Sequence, residues 1–313
     1  MDSVALASLS LCLRQALAAP PTEARRLLHG RGRRWPGLEQ LTVDWLEGLV
    51  QVTLFKAPPA EALEALMECL RGVLAEPGWA TSDAQALLLQ QRYLDGSPSL
   101  WLAGQAQGPR RIHEQGLAYW IEPGRAQNSG FFLDMRAGRQ WVRQQAAGKR
   151  ILNLFAYTCA FSVAAMAGGA RGVVNLDMSS AALARGRENH RANGHDLTPV
   201  SFLAHDLFKS WGKLARLGPY DLIIVDPPSF QQGSFVLARD YPKVLRRLEG
   251  LLAPSGQVMA CLNDPALSTD FLQEAMAKHA PTLTFVERLA NPAEFEDMDP
   301  DASLKVAIFR RDA

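Results

Sequence analysis

Three segments decide the fold of this chain: ILNLFAYTCAFSVAAMAGGA (151–170), VVNLDMSSAALARGRENHRANG (173–194) and DLIIVDPPSF (221–230). Each opens with a short apolar run that ends in a polar residue, which is typical of a strand buried on both faces of a parallel sheet. Helical patterns follow the first two runs, so strands and helices alternate and predict a doubly wound α/β sheet. Because ligands of such sheets bind at the carboxyl ends of the strands, we predict a ligand site at that edge.

The turn after the first strand indicates what kind of ligand binds. A dinucleotide site requires glycines at fixed offsets so that the backbone can approach a pyrophosphate, and the turn from Phe155 to Ala160 contains none. The aromatic side chains of Phe155 and Tyr157, the Thr158 hydroxyl and the start of a helix instead suit a ligand with one carboxylate and a flat adenosine. We therefore predict a site for S-adenosylmethionine, with these three residues among its contacts.

Acidic residues follow the next two strands. Asp177 ends the second strand, where its carboxylate can accept hydrogen bonds from both ribose hydroxyls, and Asp206, after VSFLAH, can bind the adenine amino group. The neighbouring residues Met178, Ser179 and Leu207 are predicted to contribute to the same pocket. Each aspartate alone is also consistent with capping a following helix. Their recurrence at successive strand ends favours ligand binding.

Asp226, Pro227, Pro228 and Phe230 form the sharpest motif of the sequence. Pro228 has no N–H to donate to a neighbouring strand, and Pro227 restricts Asp226 to an extended backbone, so the strand must end abruptly and rigidly. We expect this rigidity to hold Asp226 still at the ligand edge, in contact with cofactor and substrate. The Phe230 ring would then stack on a planar substrate. A bare strand-ending turn is the alternative.

These motifs carry a family resemblance. Three of them resemble the class I S-adenosylmethionine-dependent methyltransferases: NLFAYTCAF (153–161), NLDMS (175–179) and DPPSF (226–230). Within that class they are similar to the bacterial enzymes that make 5-methylcytosine or 7-methylguanine in 23S ribosomal RNA. SGFFLDMRAGRQWV (129–142) and RLLHGRGRRWPGLEQLTVDW (26–45) resemble upstream segments of the same group. The resemblance implies a Rossmann-like, seven-stranded sheet whose last strand is antiparallel and lies beside the fifth.

The resemblance also has implications for Arg136 and Cys159. It implies that the segment containing Arg136 lies over the cofactor, where Arg136 binds a carboxylate or, alternatively, pairs with Asp134. Cys159 stands where the group usually has glycine, and its side chain would crowd the methionine tail of the cofactor. Some members of the group carry an RNA-binding PUA domain, and we expect none before Arg26.

The chain is predicted to contain an amphipathic N-terminal helix (1–22), a small α+β domain (23–126) that binds RNA or substrate, and the methyltransferase domain (127–313). Leucines spaced by three and four residues indicate the first helix. LTVDWLEGLVQVTLF (41–55) alternates as a hairpin around Gly48.

Composition limits the partners. The chain has 313 residues, of which 48% are hydrophobic and 21% charged, and its formal net charge of +1 excludes a global polyanion binder. Contact with ribosomal RNA must therefore come from local patches such as Arg31, Arg33 and Arg34 beside Trp35, although most such runs are solvated loops. Four cysteines without metal-binding spacing predict free thiols in a reducing cytoplasm and no metal site. No segment reaches membrane length, and a homodimer stays an option.

The chemistry leaves two acceptor atoms in competition. Methyl transfer from a sulfonium, which leaves S-adenosyl-L-homocysteine, depends on alignment in a dry pocket more than on a dedicated base. Cytosine C5 is the exception, because it becomes nucleophilic only after a thiolate adds to C6. Cys261, at the end of the fifth strand, is the candidate nucleophile, with a core position as the alternative. Asn263 and Asp264 would instead bind a guanine edge.

We therefore predict an enzyme that methylates a ribosomal RNA base, at cytosine C5 or at guanine N7 or N2. The alternatives are a methyltransferase acting on a small molecule or protein, and a cofactor-binding module without turnover. A strongly positive cleft would count against the first alternative, and very weak cofactor binding would favour the second.

Overall fold

The structure is a computed structural model that describes residues 1–105, 108–231 and 235–311. It divides the chain into two compact units. Unit 1 comprises Met1–Leu133 and Ala293–Asp299, and unit 2 comprises Asp134–Pro292 and Pro300–Ala313. The first boundary therefore follows Leu133, whereas the sequence led us to expect it after position 126. Residues 293–299 return to unit 1, where the ring of Phe295 packs 5.3 Å from that of His29.

Unit 1 is built on a five-stranded sheet. Its elements are α1 (Ser3–Ala18), β1 (Arg25–His29), β2 (Leu41–Trp45), β3 (Leu49–Leu54), α2 (Ala60–Ala75), α3 (Pro77–Thr81), β4 (Ala86–Gln91), β5 (Ser99–Ala103), β6 (Arg110–Glu114) and β7 (Leu117–Ile121). Strands β1 to β5 neighbour one another in that order, and β6 pairs with β7. Only the β3–β4 pair of this sheet is parallel, with α2 in the connection. Strands β1, β3 and β4 consequently run in the same direction.

Local sequence explains the start of unit 1. Asp2 caps α1, since its carboxylate accepts the Ala5 N–H at 2.8 Å, and apolar residues spaced four apart bury one helix face. Glu47 and Gly48 have φ angles of +49° and +91°, which matches the tight turn that joins twisted antiparallel strands. A helix is therefore observed at Ser3–Ala18, within the predicted segment 1–22, and β2 and β3 form the hairpin expected around Gly48.

Unit 2 contains the seven-stranded sheet. Its elements are α4 (Arg136–Gln145), β8 (Arg150–Leu154), α5 (Ala160–Ala167), β9 (Gly172–Asp177), α6 (Ser180–Ala192), β10 (Val200–Ala204), α7 (Trp211–Leu217), β11 (Tyr220–Val225), β12 (Phe230–Gln231), β13 (Phe235–Val236), α8 (Leu237–Leu248), β14 (Leu252–Leu262), α9 (Thr269–His279), β15 (Leu283–Arg288) and β16 (Lys305–Arg311). The strand order is β10-β9-β8-β11-β14-β16-β15. Strand β16 lies antiparallel between β14 and β15. The Rossmann-like fold with an antiparallel last strand is confirmed.

The central strands of this sheet are buried on both faces. Ile224 contributes to one core with Met135 and Phe161, while its neighbours Ile223 and Val225 face the other core. Strands of this kind appear in the sequence as continuous apolar runs, because neither face is exposed to water. The polar residues at their ends therefore lie on an edge rather than on a face.

A buried polar chain ties two helices to the sheet. Asn153 donates to Asn175 on the neighbouring strand at 2.9 Å, and Asn175 donates to the Ser162 hydroxyl on α5 at 3.0 Å. The same hydroxyl lies 2.9 Å from Nε2 of His190 on α6. Buried polar groups require such partners, so these hydrogen bonds fix the start of α5 and the end of α6 relative to β8 and β9.

One helix differs from expectation. The sequence suggested a helix from Tyr241 to Leu252, but α8 runs from Leu237 to Leu248, and residues from Leu252 onward already belong to β14. Asp240 explains the earlier start, because its carboxylate accepts the N–H of Val236 at 2.9 Å and secures the first turn. Within the described residues, none of the helices combines the length and apolar character needed to cross a bilayer.

Candidate active site

The parallel strands of unit 2 bring their carboxyl ends to one edge. Leu154 at the end of β8 pairs with Leu176 on one side and Val225 on the other, and Asp177 pairs with Ala204 at the end of β10. The polar residues that follow these positions therefore start from the same level of the sheet.

The turn between β8 and α5 has an unusual backbone. Phe155, Tyr157 and Cys159 have φ angles of +58°, +47° and +61°. L-amino acids other than glycine seldom adopt this left-handed region, and such strain concentrates at ligand sites. Three residues other than glycine thus adopt a backbone conformation that is usually found at glycine. The residue types in this turn did not predict that conformation.

Asp177 holds this turn. Its carboxylate accepts the Tyr157 N–H at 2.8 Å and the Ser179 N–H at 2.8 Å. A carboxylate has about four acceptor positions, so both oxygens retain capacity for ribose hydroxyls. The Ser179 hydroxyl is used differently, since it caps α6 by accepting the Ala182 N–H at 3.1 Å.

Met178 follows Asp177 in the sequence, and Thr158 follows Tyr157. Met178 is 52% exposed, and an exposed large apolar side chain beside a carboxylate suits the flat face of an adenine. Thr158 is buried, and its carbonyl accepts the Asn189 side-chain amide at 2.9 Å.

Cys159 does not point into this edge. Its thiol is fully buried among Ala156 and Leu183, and a Cβ added at Gly186 of α6 would lie 2.4 Å from its Sγ. Burial raises the pKa of the Cys159 thiol. The side chain is therefore packed between the turn and α6. This packing argues against the expected crowding of the methionine tail.

Asp206 is partly occupied as a cap. One carboxylate oxygen accepts the Phe208 N–H at 2.9 Å at the start of the short 3₁₀ helix Leu207–Lys209, and its carbonyl accepts the Ser210 hydroxyl at 2.7 Å. The other oxygen lies 3.8 Å from the Lys209 ammonium. Leu207 is 4% exposed and packs in the core, so only its backbone can reach a ligand. Binding of the adenine amino group by Asp206 stays a prediction.

Asp226 stands at the centre of the site. Burial and the neighbouring Asp134 carboxylate raise the pKa of Asp226 to about 7, while Arg139 lowers it. Asp134 lies on the 3₁₀ helix Leu133–Met135 before α4, and Arg139 on α4 is only 3% exposed. The segment before β8 thus brings a carboxylate and a guanidinium cation close to Asp226. Arg136 opens this helix, and its contact with a ligand or with Asp134 stays a prediction.

The proline turn is tied to the neighbouring strand. Pro227 is buried, Pro228 is half-buried, and the Ser229 hydroxyl donates to the Asn263 carbonyl just past β14. The rigid turn predicted for the two prolines is thereby anchored on a second element. The Phe230 side chain lies outside the described part of the structure, so its stacking on the substrate stays a prediction.

Cys261 lies in the core next to this carboxylate pair. Its side chain is fully buried among Met135, Ile224 and Val306. Burial, together with the carboxylates of Asp226 and Asp134, raises the pKa of the thiol well above its usual range. A thiolate is therefore strongly disfavoured in this arrangement.

Lys305 is a further buried charge that the sequence did not reveal. It is fully buried at the start of β16, and its ammonium donates to the Asp264 carbonyl at 2.9 Å and to the Asp301 carbonyl at 2.5 Å. It thus holds the loop that follows β14, on which Asn263 is exposed. Asp264 itself accepts the Ala266 N–H at 3.0 Å within that loop.

The basic run predicted to contact RNA is largely neutralised. Arg33 pairs with Asp297 at 2.8 Å and Arg34 pairs with Glu296 at 2.6 Å, both within unit 1. Trp35 packs against the core of that unit. These pairs reduce the charge that the run presents to a polyanion.

Comparison with known proteins identifies the family to which the chain is similar. The sequence profile of the S-adenosylmethionine-dependent methyltransferase family matches residues 25–310. The chain is 34% identical over 55% of its length to ribosomal RNA large subunit methyltransferase I of Aeromonas salmonicida, and 32% identical over 82% to the Klebsiella pneumoniae protein of that name. It spans only 44% and 64% of those two relatives.

Two solved structures of methyltransferases have a similar fold. An S-adenosylmethionine-dependent methyltransferase from Streptococcus mutans superposes with a TM-score of 0.85 at 25% identity, covering 99% of this chain and 82% of that protein. A methyltransferase crystallised with S-adenosylhomocysteine gives a TM-score of 0.84 at 25% identity, over 97% of this chain and 80% of that one.

Proposed function

The chain belongs to the S-adenosylmethionine-dependent methyltransferase family, and we propose that it methylates a base of large-subunit ribosomal RNA. The observation that carries the proposal is the meeting of Asp177, the left-handed turn and Asp226 at one sheet edge. The names of the relatives in Aeromonas and Klebsiella support ribosomal RNA as the substrate.

The residues at the edge fit the cofactor. Asp177 would bind the ribose hydroxyls with its remaining acceptor positions, the exposed Met178 would cover one face of the adenine, and Asp206 would accept from the adenine amino group. The strained turn at Tyr157 and the start of α5 would receive the carboxylate. When bound, S-adenosylmethionine supplies an electrophilic methyl group on a positively charged sulfur.

The chain's own residues would then orient the acceptor base. Asp226 would accept a hydrogen bond from the acceptor nucleobase. Because the pKa of Asp226 is raised to about 7, its side chain is an ionised carboxylate only above that pH. The Ser229 hydroxyl keeps the proline turn fixed on β14, and Phe230 would stack on the base. A target base within structured RNA must leave its stack to reach this edge.

Burial of Cys261 favours a guanine nitrogen over cytosine C5. Addition to cytosine C6 requires a thiolate at the substrate, whereas the Cys261 thiol is enclosed in the core with a raised pKa. A guanine nitrogen needs no covalent activation, and the exposed Asn263 lies at the adjacent strand end for recognition of its edge.

Nucleoside mass spectrometry tests the proposal. Ribosomal RNA from a strain lacking this protein is expected to miss one methylated guanosine, which wild type and Cys261→Ala should restore and Asp226→Ala should not. An unchanged nucleoside profile in the deletion strain would refute RNA methylation. Loss of a 5-methylcytidine that Cys261→Ala fails to restore would instead refute the assignment of the acceptor atom.

A further inference from the structure

Two arginine side chains lie next to an aromatic ring at one edge of the five-stranded sheet in unit 1. Strands β1, β3 and β4 run in the same direction, so the residues that follow them meet at one edge. These residues are Arg31, Phe55 and Arg92. Arg31 and Arg92 are more than sixty positions apart in the sequence, and the order of the strands brings them together.

The two guanidinium groups both lie over the Phe55 ring. The Arg31 carbon between the guanidinium nitrogens is 4.5 Å from the ring centroid, and that of Arg92 is 5.1 Å from it. Cation–π contacts of this kind are attractive for each arginine. They also bring two like charges close together, and burial and the charge of Arg31 lower the pKa of Arg92.

Arg92 has an unsatisfied donor in this arrangement. Its Nε is shielded from solvent and finds no acceptor among the described residues. A buried donor without a partner is costly, and so is a second cation nearby. In the neighbouring part of the chain, Arg33 and Arg34 each pair with a carboxylate of the same unit.

An anion at this edge would offset the repulsion between the two cations. A phosphate oxygen accepts from arginine in a fork-like geometry, and the planes of stacked guanidinium groups also suit an unstacked base. Lys56, directly after Phe55, is exposed and adds a cation to the same edge.

We propose that the Arg31–Phe55–Arg92 cluster binds the phosphodiester backbone of the RNA substrate, an inference that rests on the proposed function. The contact is with backbone phosphates, so it is independent of sequence and positions the RNA rather than selecting the target base. Of the basic run predicted from the sequence, this proposal retains Arg31 as the RNA contact and leaves Arg33 and Arg34 in their ion pairs.

Binding of an unmodified 23S ribosomal RNA transcript, measured at several salt concentrations, tests this inference. Arg92→Met keeps an apolar stem on Phe55 and removes the charge. We expect it to weaken RNA binding about tenfold and to reduce the slope of log Kd against log salt by ~0.7 to 0.9, the value for one lost phosphate contact. Arg31→Gln, at an exposed position, should change both quantities in the same direction.

Arg71→Ala is the matched control, since it removes one exposed arginine from helix α2 of the same unit. Its RNA affinity and salt slope should equal those of wild type, and all three variants should bind S-adenosylhomocysteine normally. Wild-type affinity and slope in both Arg92→Met and Arg31→Gln would overturn this inference alone, provided that the wild-type protein methylates the transcript. A wild-type protein that neither binds nor methylates it would overturn the proposed function as well.

Discussion

Replacing Asp177 should abolish most cofactor binding. Its carboxylate accepts the N–H groups of Tyr157 and Ser179, each at 2.8 Å, and would accept both ribose hydroxyls. A hydrogen bond to a charged group contributes about 1.5 to 3 kcal/mol, so loss of two such bonds weakens binding by ~3 to 6 kcal/mol, or about 10² to 10⁴-fold in Kd. Titration calorimetry with S-adenosylhomocysteine measures the effect on Asp177→Ala directly.

A matched control separates this loss from general damage. Asp196 accepts the N–H and hydroxyl of Thr198 at 2.9 and 2.8 Å in a turn before β10, at the opposite edge of the sheet. Asp196→Ala therefore removes similar bonds and should leave the Kd unchanged. Thermal unfolding without ligand verifies that both variants fold. Wild-type affinity in a folded Asp177→Ala protein would show that the cofactor site lies elsewhere.

Three further results are expected. The transfer rate should rise with pH through about 7, where Asp226 ionises, and Asp134→Asn should move this midpoint to lower pH; a midpoint unaffected by that change would contradict the pairing. Gly186→Ala, whose Cβ would meet the Cys159 sulfur at 2.4 Å, should lower the free energy of unfolding by ~1 to 3 kcal/mol. Adding Cys159→Gly should relieve that loss. If the two substitutions instead change the free energy of unfolding additively in denaturant unfolding, the contact between positions 186 and 159 would be refuted. Burial lowers the pKa of His190 from 6.5 to about 3. Between these two pH values the unfolded chain binds a proton at this imidazole and the folded chain does not, so the free energy of unfolding falls as the pH drops below about 6.5. His190→Gln should reduce that slope by about 1.4 kcal/mol per pH unit, and an unaltered slope would contradict a neutral buried imidazole.

The sheet edge could be predicted because its signals are local. Each strand is a mainly apolar run, interrupted by Asn153 in β8 and Asn175 in β9, and a polar residue such as Asp177 or Asp226 stands at its end. Parallel pairing then brings these ends together without further information. The family resemblance added the antiparallel position of the last strand, which the register of β16 confirms.

The remaining features depend on contacts between distant parts of the chain. Asp134 approaches Asp226 only because the segment before α4 folds back onto β11, and Lys305 finds its carbonyl partners only when β16 inserts beside β14. The left-handed turn around Tyr157 contains no glycine, so its residue types did not predict its backbone conformation, and only the glycine that the related group has at the position of Cys159 pointed to it. Pairing of Arg33 with Asp297 likewise joins residues that sequence periodicity cannot relate.

Transfer of labelled methyl groups tests the central claim most directly. Purified protein is incubated with radiolabelled S-adenosylmethionine and either an unmodified 23S ribosomal RNA transcript or ribosomal subunits from the deletion strain, beside the Asp177→Ala and Asp196→Ala variants. We predict incorporation approaching one methyl group per transcript with wild type and Asp196→Ala, and almost none with Asp177→Ala. A folded wild-type protein that binds S-adenosylhomocysteine yet leaves the transcript and ribosomal subunits unlabelled would contradict the assignment of ribosomal RNA as substrate.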